Sequence, residues 1–560
     1  KDRDLIQIFG GAEIEELFLA SSTVTPIIAE VATTLDLIAS TAVFSVGDIA
    51  GTAGYTLKGD GGGAKWKRNG VTGQTPSQSP AQLGDALLND GNGNQWDLVG
   101  LPIDVRSLGA QGKPFDDALP IAALIARLKS NGGGAFHVGE AFNCAEIVLD
   151  FSDVAIVSNG GGELTLNNGV NNNVISIVNA SNVIISGLKI DQNRLNQTAG
   201  HGIRLDNSKN VWLTNLDIIN AVGYGIGLQG FGTHENVYID NVTIDGVQAD
   251  GIDIKNRQDN NKNIFISNVN ISSFNIDSDN KAGIDVRGLV NLSNINVDVS
   301  QGVTPTAIRF RAGELLDENG IGAHKSTLTN FQITQQGSTV SVGVNLGARH
   351  VKVSNGTVVG LSQGVAITGE DCKVSGVDCI ENSLGFNLIG DRARLVNCTA
   401  KDNTSRGFDV SGNNVNLTSC DSVNNVNHGI RIQGSATGCT INSGLVSGNS
   451  PNIGDGGINT IVVNVDGFVS ESYVETIDLL VDSVGVKPFQ TAHGLTGAPS
   501  IQSVILSLQA VTAVDDYELS YMRVDATSGG NIEGRIFVSS ASATAGAVVK
   551  VNIHSKRNHQ

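Results

Sequence analysis

The sequence predicts an all-β fold, a right-handed single-stranded parallel β-helix, and three observations support this. One pattern recurs between about residues 170 and 460: a turn residue, two inward apolar residues separated by one outward residue, then another alternating strand opened by glycine. The turn residue is asparagine, glycine or serine each time. Glycine accounts for 69 of 560 residues and charged residues for only 16%, which is typical of strands joined by tight turns.

The turn positions form a column in which neighbouring members lie 21 to 36 residues apart: Gly187, Asn215, Asn241, Asn268, Asn294, Asn330, Asn355, Gly376, Asn397 and Ser419. Asparagine and glycine tolerate left-handed backbone, and stacked asparagine side chains can hydrogen-bond from one repeat to the next. A single repeat cannot bury its own apolar face. Neighbouring repeats must therefore supply the core, and both ends of the array need caps.

An inward column follows the turn column and consists of Leu188, Leu216, Val242, Val269, Ile295, Phe331, Val377, Cys398, Cys420 and Cys439. Cysteine replaces aliphatic residues there, so we expect these thiols to be buried. The six cysteines include no CxxC pair and no Cys/His cluster, which argues against zinc. The sequence predicts neither a metal nor another cofactor.

Three domains are predicted. They are an amino-terminal neck or lid domain at 1–101, the β-helix with an amphipathic capping helix (116–130) at 102–471, and a carboxy-terminal β-sandwich trimerisation domain at 472–560. The first domain contains a helix-like apolar segment and an aromatic anchor, at 14–19 and 55–66. The last contains alternating strands at 500–508, 517–524 and 532–539.

The formal net charge of −19 would repel a phosphate backbone, so neither nucleic acid nor an anionic membrane is an expected partner. The sequence contains no run of 18 apolar residues and no basic, apolar amino terminus. We therefore expect no membrane span and no secretory signal.

Two segments carry a family resemblance. Residues 104–117 (DVRSLGAQGKPFDD), with the helix after them, resemble the opening of pectate-lyase-like β-helices in bacteriophage tailspikes. Residues 59–66 (GDGGGAKW) resemble the domain that precedes that helix in many phage tail proteins. With the carboxy-terminal strands, the whole chain is similar to tailspike depolymerases, especially those of podoviruses that infect capsulated Acinetobacter.

The resemblance implies a homotrimer that attaches to the phage tail through an amino-terminal domain absent from this sequence. It also implies a location on the virion and a surface groove that binds and cleaves bacterial capsular polysaccharide outside the host cell. These motifs belong to the scaffold, so the sugar and its linkage do not follow from them.

Hydrolysis of a glycosidic bond needs two carboxyl groups, one protonated and one ionised. An outward column on the second strand places Asp253 and Asp285 on consecutive repeats, about 5 Å apart, facing solvent. One of the two should have a raised pKa, while neighbouring cations pull in the other direction. The longest repeat carries an insertion at 311–324, whose Glu314 is the third catalytic candidate, with Asp317 and Glu318 beside it.

Seven residues near these acids are candidates for binding substrate: His201, Arg204, Tyr224, Lys255, Arg287, Arg309 and Arg311. The two rings could support a sugar face, and the cations could bind an acidic sugar or simply neutralise the aspartates. Each of these residues also has a purely structural interpretation, because an outward charged side chain on a solenoid needs no function.

Three functions stay open at this stage. The leading one is an endo-acting glycoside hydrolase, with retaining and inverting geometry both possible. The second is a polysaccharide lyase in which Lys255, Arg287 or Tyr224 abstracts a proton beside a uronate carboxylate. The third is an adhesin that binds polysaccharide without cleaving it.

Overall fold

The computed structural model describes residues 29–53, 55, 63–74, 77, 87–99, 102–230, 232–255, 261–274, 281–299, 305–311, 325–335, 341–466, 472–480, 484–492, 504–510, 518–528, 531–540 and 548–556. The chain divides into two compact units, residues 1–369 and 370–560. No helix in these described segments is long and apolar enough to cross a membrane.

The first unit begins with a five-stranded sheet in the order β1-β2-β3-β5-β4. Trp66 and Trp96 are both fully buried there, which confirms an aromatic anchor in this region. The predicted helix-like segment at 14–19 lies outside the described residues. The elements are β1 (Ala29–Val31), α1 (Thr34–Ala39), β2 (Ile49–Thr52), β3 (Lys65–Arg68), β4 (Leu87–Asn89) and β5 (Gln95–Val99).

A helix, α2 (Ala118–Ser130), lies within the segment 116–130 that was predicted to cap the β-helix, and it buries Ile121, Leu124 and Leu128. The two acidic residues before it act differently, since the Asp116 Oδ1 accepts from the first helical N–H, that of Ala118, at 3.0 Å. The Asp117 carboxylate makes no capping hydrogen bond and instead accepts from the backbone N–H groups of Gln111 and Gly112. It therefore holds the turn that delivers the chain to the helix.

Two parallel sheets build the β-helix of the first unit. Sheet 1 contains β6 (Ile103–Asp104), β7 (Gly134–His137), β8 (Ala141–Cys144), β10 (Val154–Leu166), β12 (Ser181–Asp191), β14 (Lys209–Ile219), β16 (Glu235–Asp245), β18 (Lys262–Ile271), β20 (Val290–Asp298), β22 (Thr327–Thr334) and β24 (Lys352–Val359). Sheet 2 contains β9 (Ile147–Leu149), β11 (Ile175–Val178), β13 (Ile203–Asp206), β15 (Ile226–Gln229), β17 (Ile252–Ile254), β19 (Ala282–Val286), β21 (Thr306–Phe310), β23 (Val342–Leu346) and β25 (Gln363–Ile367).

Parallel pairing between successive repeats confirms the predicted parallel β-helix. The second unit continues with short parallel strands: β26 (Lys373–Ile380), β27 (Leu384–Leu388), β28 (Arg394–Val396), β29 (Thr399–Lys401), β30 (Arg406–Val410), β31 (Asn416–Thr418), β32 (Asp421–Val423), β33 (Ile430–Ile432), β34 (Thr440–Asn442), β35 (Val446–Ser447), β36 (Ile453–Asp455) and β37 (Ile461–Val463).

The last strands of the second unit are antiparallel and overlap the predicted ones. They form two three-stranded sheets, in the orders β38-β43-β40 and β39-β42-β41. Their bounds are β38 (Ser472–Leu480), β39 (Gly485–Ala492), β40 (Val504–Ala510), β41 (Glu518–Ser528), β42 (Asn531–Ser540) and β43 (Val548–Lys556). The three predicted domains, and the two boundaries between them, stay predictions.

All ten residues of the predicted turn column have a positive φ, between 50° and 75°. Asparagine amides link neighbouring repeats along it: the Asn241 Nδ2 donates to Asn215 Oδ1 at 2.8 Å, and the Asn294 Nδ2 donates to Asn268 Oδ1 at 2.9 Å. A second ladder, not predicted from the sequence, joins Asn182, Asn210, Asn236 and Asn263. Left-handed asparagine residues therefore occupy both ladders, and each ladder marks a place where the chain bends in every repeat that it links.

The inward column is buried throughout, with every member at most 5% exposed. All six cysteines are buried free thiols. Cys398, Cys420 and Cys439 therefore act as small apolar residues in the core of the second unit, as predicted.

The turn column gives a stability test in Asn241. We expect Asn241→Ala to lower the free energy of unfolding by about 2 kcal/mol, since it loses a hydrogen bond and strains a left-handed residue. Asn241→Gly loses only the hydrogen bond and should cost about 1 kcal/mol. Urea titration of both variants measures the difference, and equal losses would contradict the role of φ.

Candidate active site

Consecutive strands of sheet 2 bring the predicted catalytic column together. Arg204 in β13 pairs with Gly227, Gly227 with Asp253, Asp253 with Asp285, and Asp285 with Arg309. Residues one repeat apart in this column are therefore neighbours in space.

The predicted exposure of this column is wrong. Asp253 and Asp285 are fully buried and Arg309 is only 6% exposed. Alternation within β17 puts Ile252 and Ile254 in the core, so the side chain between them points away from it. Long polar side chains from the same and adjacent columns then cover the two acids, as their contacts show.

Asp285 has more charged partners than Asp253, the other buried acid of this column. Its Oδ1 accepts from the Nε atoms of Arg309 and Arg311 at 2.8 and 3.0 Å, and its Oδ2 accepts from Arg287 Nη2 at 2.9 Å. Burial alone would raise the pKa of Asp285, but the three guanidinium groups outweigh it and lower that pKa. Asp285 is consequently ionised, with both oxygens occupied.

Asp253 is less completely paired. Its Oδ2 accepts from Gln229 Nε2 at 2.8 Å and lies 3.5 Å from Lys255 Nζ. Its Oδ1 accepts no hydrogen bond from any described residue, and Arg287 Nη2 lies 3.9 Å away. One lone-pair direction of a buried carboxylate is thus left for a reacting group or a water molecule.

Asp250 is the residue that sequence reasoning missed as an acid. It is 1% exposed, and its Oδ1 accepts from the backbone N–H of Ala282 and lies 3.9 Å from Arg309 Nη2. Burial, together with the negative charges of Asp285 and Asp253, raises the pKa of Asp250 to about 7. The signal available in the sequence was its place directly before the strand glycine, three residues before Asp253.

One oxygen from each of Asp250, Asp253 and Asp285 lies within 4.8 Å of the others, and we call these three residues the acid cluster. Three carboxylates at such distances could in principle hold a cation. The guanidinium and ammonium groups already paired with Asp285 and Asp253 oppose a metal ion electrostatically. The arrangement suits acid–base chemistry better, because one acid is protonated near neutral pH while another is ionised.

His201 and Tyr224 occupy the same column as Asp250 and stack on each other, with ring centroids 4.7 Å apart. His201 Nδ1 accepts from the backbone N–H of Tyr224, so this nitrogen carries no proton. Burial, with the nearby charges of Arg204 and Lys255, lowers the pKa of His201 to about 4. Each ring therefore has one face occupied by the other, which limits the predicted sugar-stacking surface.

The remaining substrate-binding candidates divide into those that pair with the acid cluster and those that do not. Lys255, Arg287, Arg309 and Arg311 all pair with its acids, and the Arg311 side chain is the most exposed of the four at 37%. Arg204 does not join them, because its Nη2 bonds Asp206 at 3.0 Å. Glu314, with Asp317 and Glu318, lies outside the described residues.

The chain matches no model of a known protein family and no curated protein. Similar solved structures include the A-module of the Azotobacter vinelandii mannuronan C-5 epimerase AlgE6, at 15% identity over 66% of this chain and 100% of that one, with a TM-score of 0.44. Another is tailspike protein 2 from Escherichia coli O157:H7 bacteriophage CAB120, at 12% identity over 98% and 74%, with a TM-score of 0.37.

A third is the tailspike of Escherichia coli bacteriophage HK620 in complex with a hexasaccharide, at 11% identity over 80% of this chain and 91% of that one, with a TM-score of 0.35. Bacteriophage tailspikes, the group that the sequence motifs resemble, are thus among the solved structures similar to this chain. Identities this low concern the fold alone and transfer no site residue.

The raised pKa of Asp250 predicts a pH-dependent effect of Asp250→Asn. A carboxyl whose pKa is higher in the folded state stabilises it fully below the unfolded value of about 3.9, and this contribution is lost as pH rises through about 7. Asparagine imitates the protonated acid and keeps an acceptor for Ala282. The free energy of unfolding of the variant should therefore rise relative to the native protein between pH 4 and 8.

Urea titrations across that pH range measure the difference. Asp250→Ala is the control, since it does not titrate either but leaves the N–H of Ala282 without its acceptor, and it should be less stable than Asp250→Asn at every pH. Curves for the native protein and Asp250→Asn that stay parallel over the range would contradict the assignment of a raised pKa.

Proposed function

We propose that this chain is a bacteriophage tailspike that recognises a bacterial capsular polysaccharide or exopolysaccharide and cleaves it within the chain by hydrolysis. The observation that carries the proposal is the acid cluster, in which Asp250 has a pKa of about 7 beside the ionised Asp285. The tailspike motifs of residues 59–66 and 104–117 and the tailspikes among similar structures supply the biological setting.

Asp250 is the general acid in this proposal. At neutral pH a large fraction of it is protonated, so it can donate its proton to the glycosidic oxygen as the bond breaks. Its hydrogen bond from Ala282 holds the carboxyl group against the backbone of the next repeat. The acid is thereby oriented by the scaffold rather than by a mobile loop.

Asp253 is the base or nucleophile. Its Oδ1, which accepts no hydrogen bond from a described residue, can attack the anomeric carbon itself or take a proton from the water molecule that does, whereas both oxygens of Asp285 are occupied by arginines. The acids lie within 4.8 Å of each other, near the separation of about 5–5.5 Å expected for retention. We therefore favour a covalent glycosyl–enzyme intermediate on Asp253.

Asp285 is a positioning residue in this scheme. It gathers Arg287, Arg309 and Arg311 and keeps negative charge beside Asp250, which holds the proton on that acid. Lys255 and Arg311 lie at the more exposed edge of the cluster. They are the residues that a saccharide must displace to reach Asp253, and they can then bind its oxygen atoms.

The lyase alternative is less well supported, because its tyrosine candidate is a poor base. Burial, with the negative charges of Asp253 and Asp250, raises the pKa of Tyr224. A tyrosine that keeps its proton cannot remove one from a sugar at neutral pH. A lyase would release an unsaturated product that absorbs ultraviolet light, whereas hydrolysis gives reducing ends without it.

The assembly around this site is proposed from the resemblance alone. It comprises a homotrimer, attachment to the phage tail and action at the host cell surface. Glu314 remains a proposed third carboxylate for the surface groove that binds the polysaccharide.

We expect Asp250→Asn and Asp253→Asn each to lower kcat by about 10²–10⁴-fold on purified capsule, measured as reducing ends released. In the native protein, kcat should fall as pH rises through about 7, because Asp250 loses its proton. Asp409→Asn is the matched control: Asp409 is also buried and ion-paired, to Arg406 at 2.9 Å, but belongs to the second unit.

Full activity in both Asp250→Asn and Asp253→Asn would place the chemistry elsewhere. Substrate binding without any reducing ends in the native protein would favour the adhesin instead.

A further inference from the structure

A groove of about 500 Å³ lies on sheet 1, whereas the acid cluster belongs to sheet 2. It runs along the turn column and crosses four successive repeats, from β10 to β16. We call it the Gly187 groove, and its lining residues are Gly161, Gly162, Glu163, Gly187, Leu188, Lys189, Asn215, Leu216, Asp217, Asn241 and Thr243.

The floor of the groove is bare backbone. A Cβ atom on Gly187 would lie 2.0 Å from the carbonyl oxygen of Ser158, and one on Gly162 would lie 2.2 Å from that of Val138. Neither position can accept a side chain without moving the backbone. The turn column therefore has no side chain at Gly187, where the backbone of the preceding repeat lies directly against it.

The asparagine ladder ends at Gly187. Within the ladder an amide donates to the preceding repeat, as the Asn241 Nδ2 does to Asn215 Oδ1 at 2.8 Å. The residue that would accept from Asn215 Nδ2 is Gly187, which has no side chain. Asn215 therefore presents amide hydrogens to the groove without an acceptor among the described side chains.

One wall carries a column of polar side chains in register. Glu163 pairs with Lys189, Lys189 with Asp217, and Asp217 with Thr243 on successive strands. Glu163 is fixed by two lysines, with Lys113 Nζ at 2.7 Å and Lys189 Nζ at 3.5 Å. Hydrogen-bond acceptors and donors thus alternate along the groove at intervals of about 4.8 Å.

The two carboxyl groups of this wall differ electrostatically. Burial opposes ionisation of Glu163, but the two lysines and Thr165 outweigh it and lower its pKa. Burial and the charges of Asp245 and Glu163 raise the pKa of Asp217, against Lys189. The wall therefore offers both a fixed acceptor and an acid that gains a proton more readily than usual.

We propose that the Gly187 groove is a second saccharide site, which binds a neutral, hydroxyl-rich stretch of the polysaccharide apart from the acid cluster. The groove lining carries Lys189 beside Glu163 and Asp217, and Lys113 pairs with Glu163 from outside the lining, so the lysines offset most of the negative charge there. Hydroxyl groups can both donate to Glu163 and accept from Lys189 and Asn215. The identity of the ligand as a saccharide rests on the proposed function.

The test uses the full chain carrying Asp253→Asn, so that bound polymer stays intact. A panel of purified bacterial capsular polysaccharides and exopolysaccharides is screened for binding, and the tightest is titrated calorimetrically. We expect Asn215→Gly to weaken binding about tenfold, as one lost hydrogen bond would. Asn294→Gly is the matched control, since it removes an amide from the same ladder outside the groove.

Lys189→Gln provides a second variant at the wall, with the same expected direction. Equal affinities of the Asn215→Gly and Asn294→Gly proteins, or no binding across the panel, would overturn the second site. The experiment separates failure of this inference from failure of the proposed function. If the native protein releases no reducing ends but Asn215→Gly still weakens polysaccharide binding, only the proposed hydrolysis fails. If the native protein cleaves the polysaccharide but Asn215→Gly leaves the affinity unchanged, only the second site fails.

Discussion

The register of parallel strands from one repeat to the next is the constraint on which the rest of this structure depends. A slip of one residue would turn every apolar side chain of a strand outwards. Left-handed residues at the turn column, linked by asparagine amides, oppose such a slip by fixing where each strand bends. The buried aliphatic column beside them adds the hydrophobic contribution, because it loses its core position in any other register.

Fixed register also concentrates charge. Side chains at the same position of successive repeats lie about 4.8 Å apart, so a column with several charged residues becomes a dense ionic network. In sheet 2 this places Asp253 next to Asp285 and Asp285 next to Arg309. Burying such groups is costly unless they are paired. The arginines around Asp285 provide that pairing, while Asp250, with fewer cations near it, keeps its proton instead.

The sequence was sufficient to predict the parallel β-helix, the turn column and the neighbours along the catalytic column, since these follow from periodicity and residue type. Exposure did not follow, because alternation gives the direction of a side chain but not what folds over it. Asp253 points away from the core and is still buried beneath Gln229 and Lys255. Alternation also gives no indication that Arg204 pairs with Asp206 of its own strand.

Asp250 shows a different limit of sequence reasoning. Its column also contains His201 and Tyr224. His201 and Asp250, although chemically unlike, each accept a hydrogen bond from a backbone N–H of the next repeat. The elevated pKa depends on burial and on two other acids, which only coordinates reveal. The outward acids recognised in the sequence therefore indicate the region of the site, but they do not show which acid is protonated.

The most direct test of the account is a crystal structure of the Asp253→Asn protein with an uncleaved oligosaccharide from the polysaccharide it binds. The account predicts a glycosidic oxygen within hydrogen-bonding distance of the Asp250 carboxyl group, with the adjacent anomeric carbon facing residue 253. Electron density for sugar remote from sheet 2, with Asp250 still enclosed by its protein partners, would contradict the claim that the acid cluster performs the chemistry.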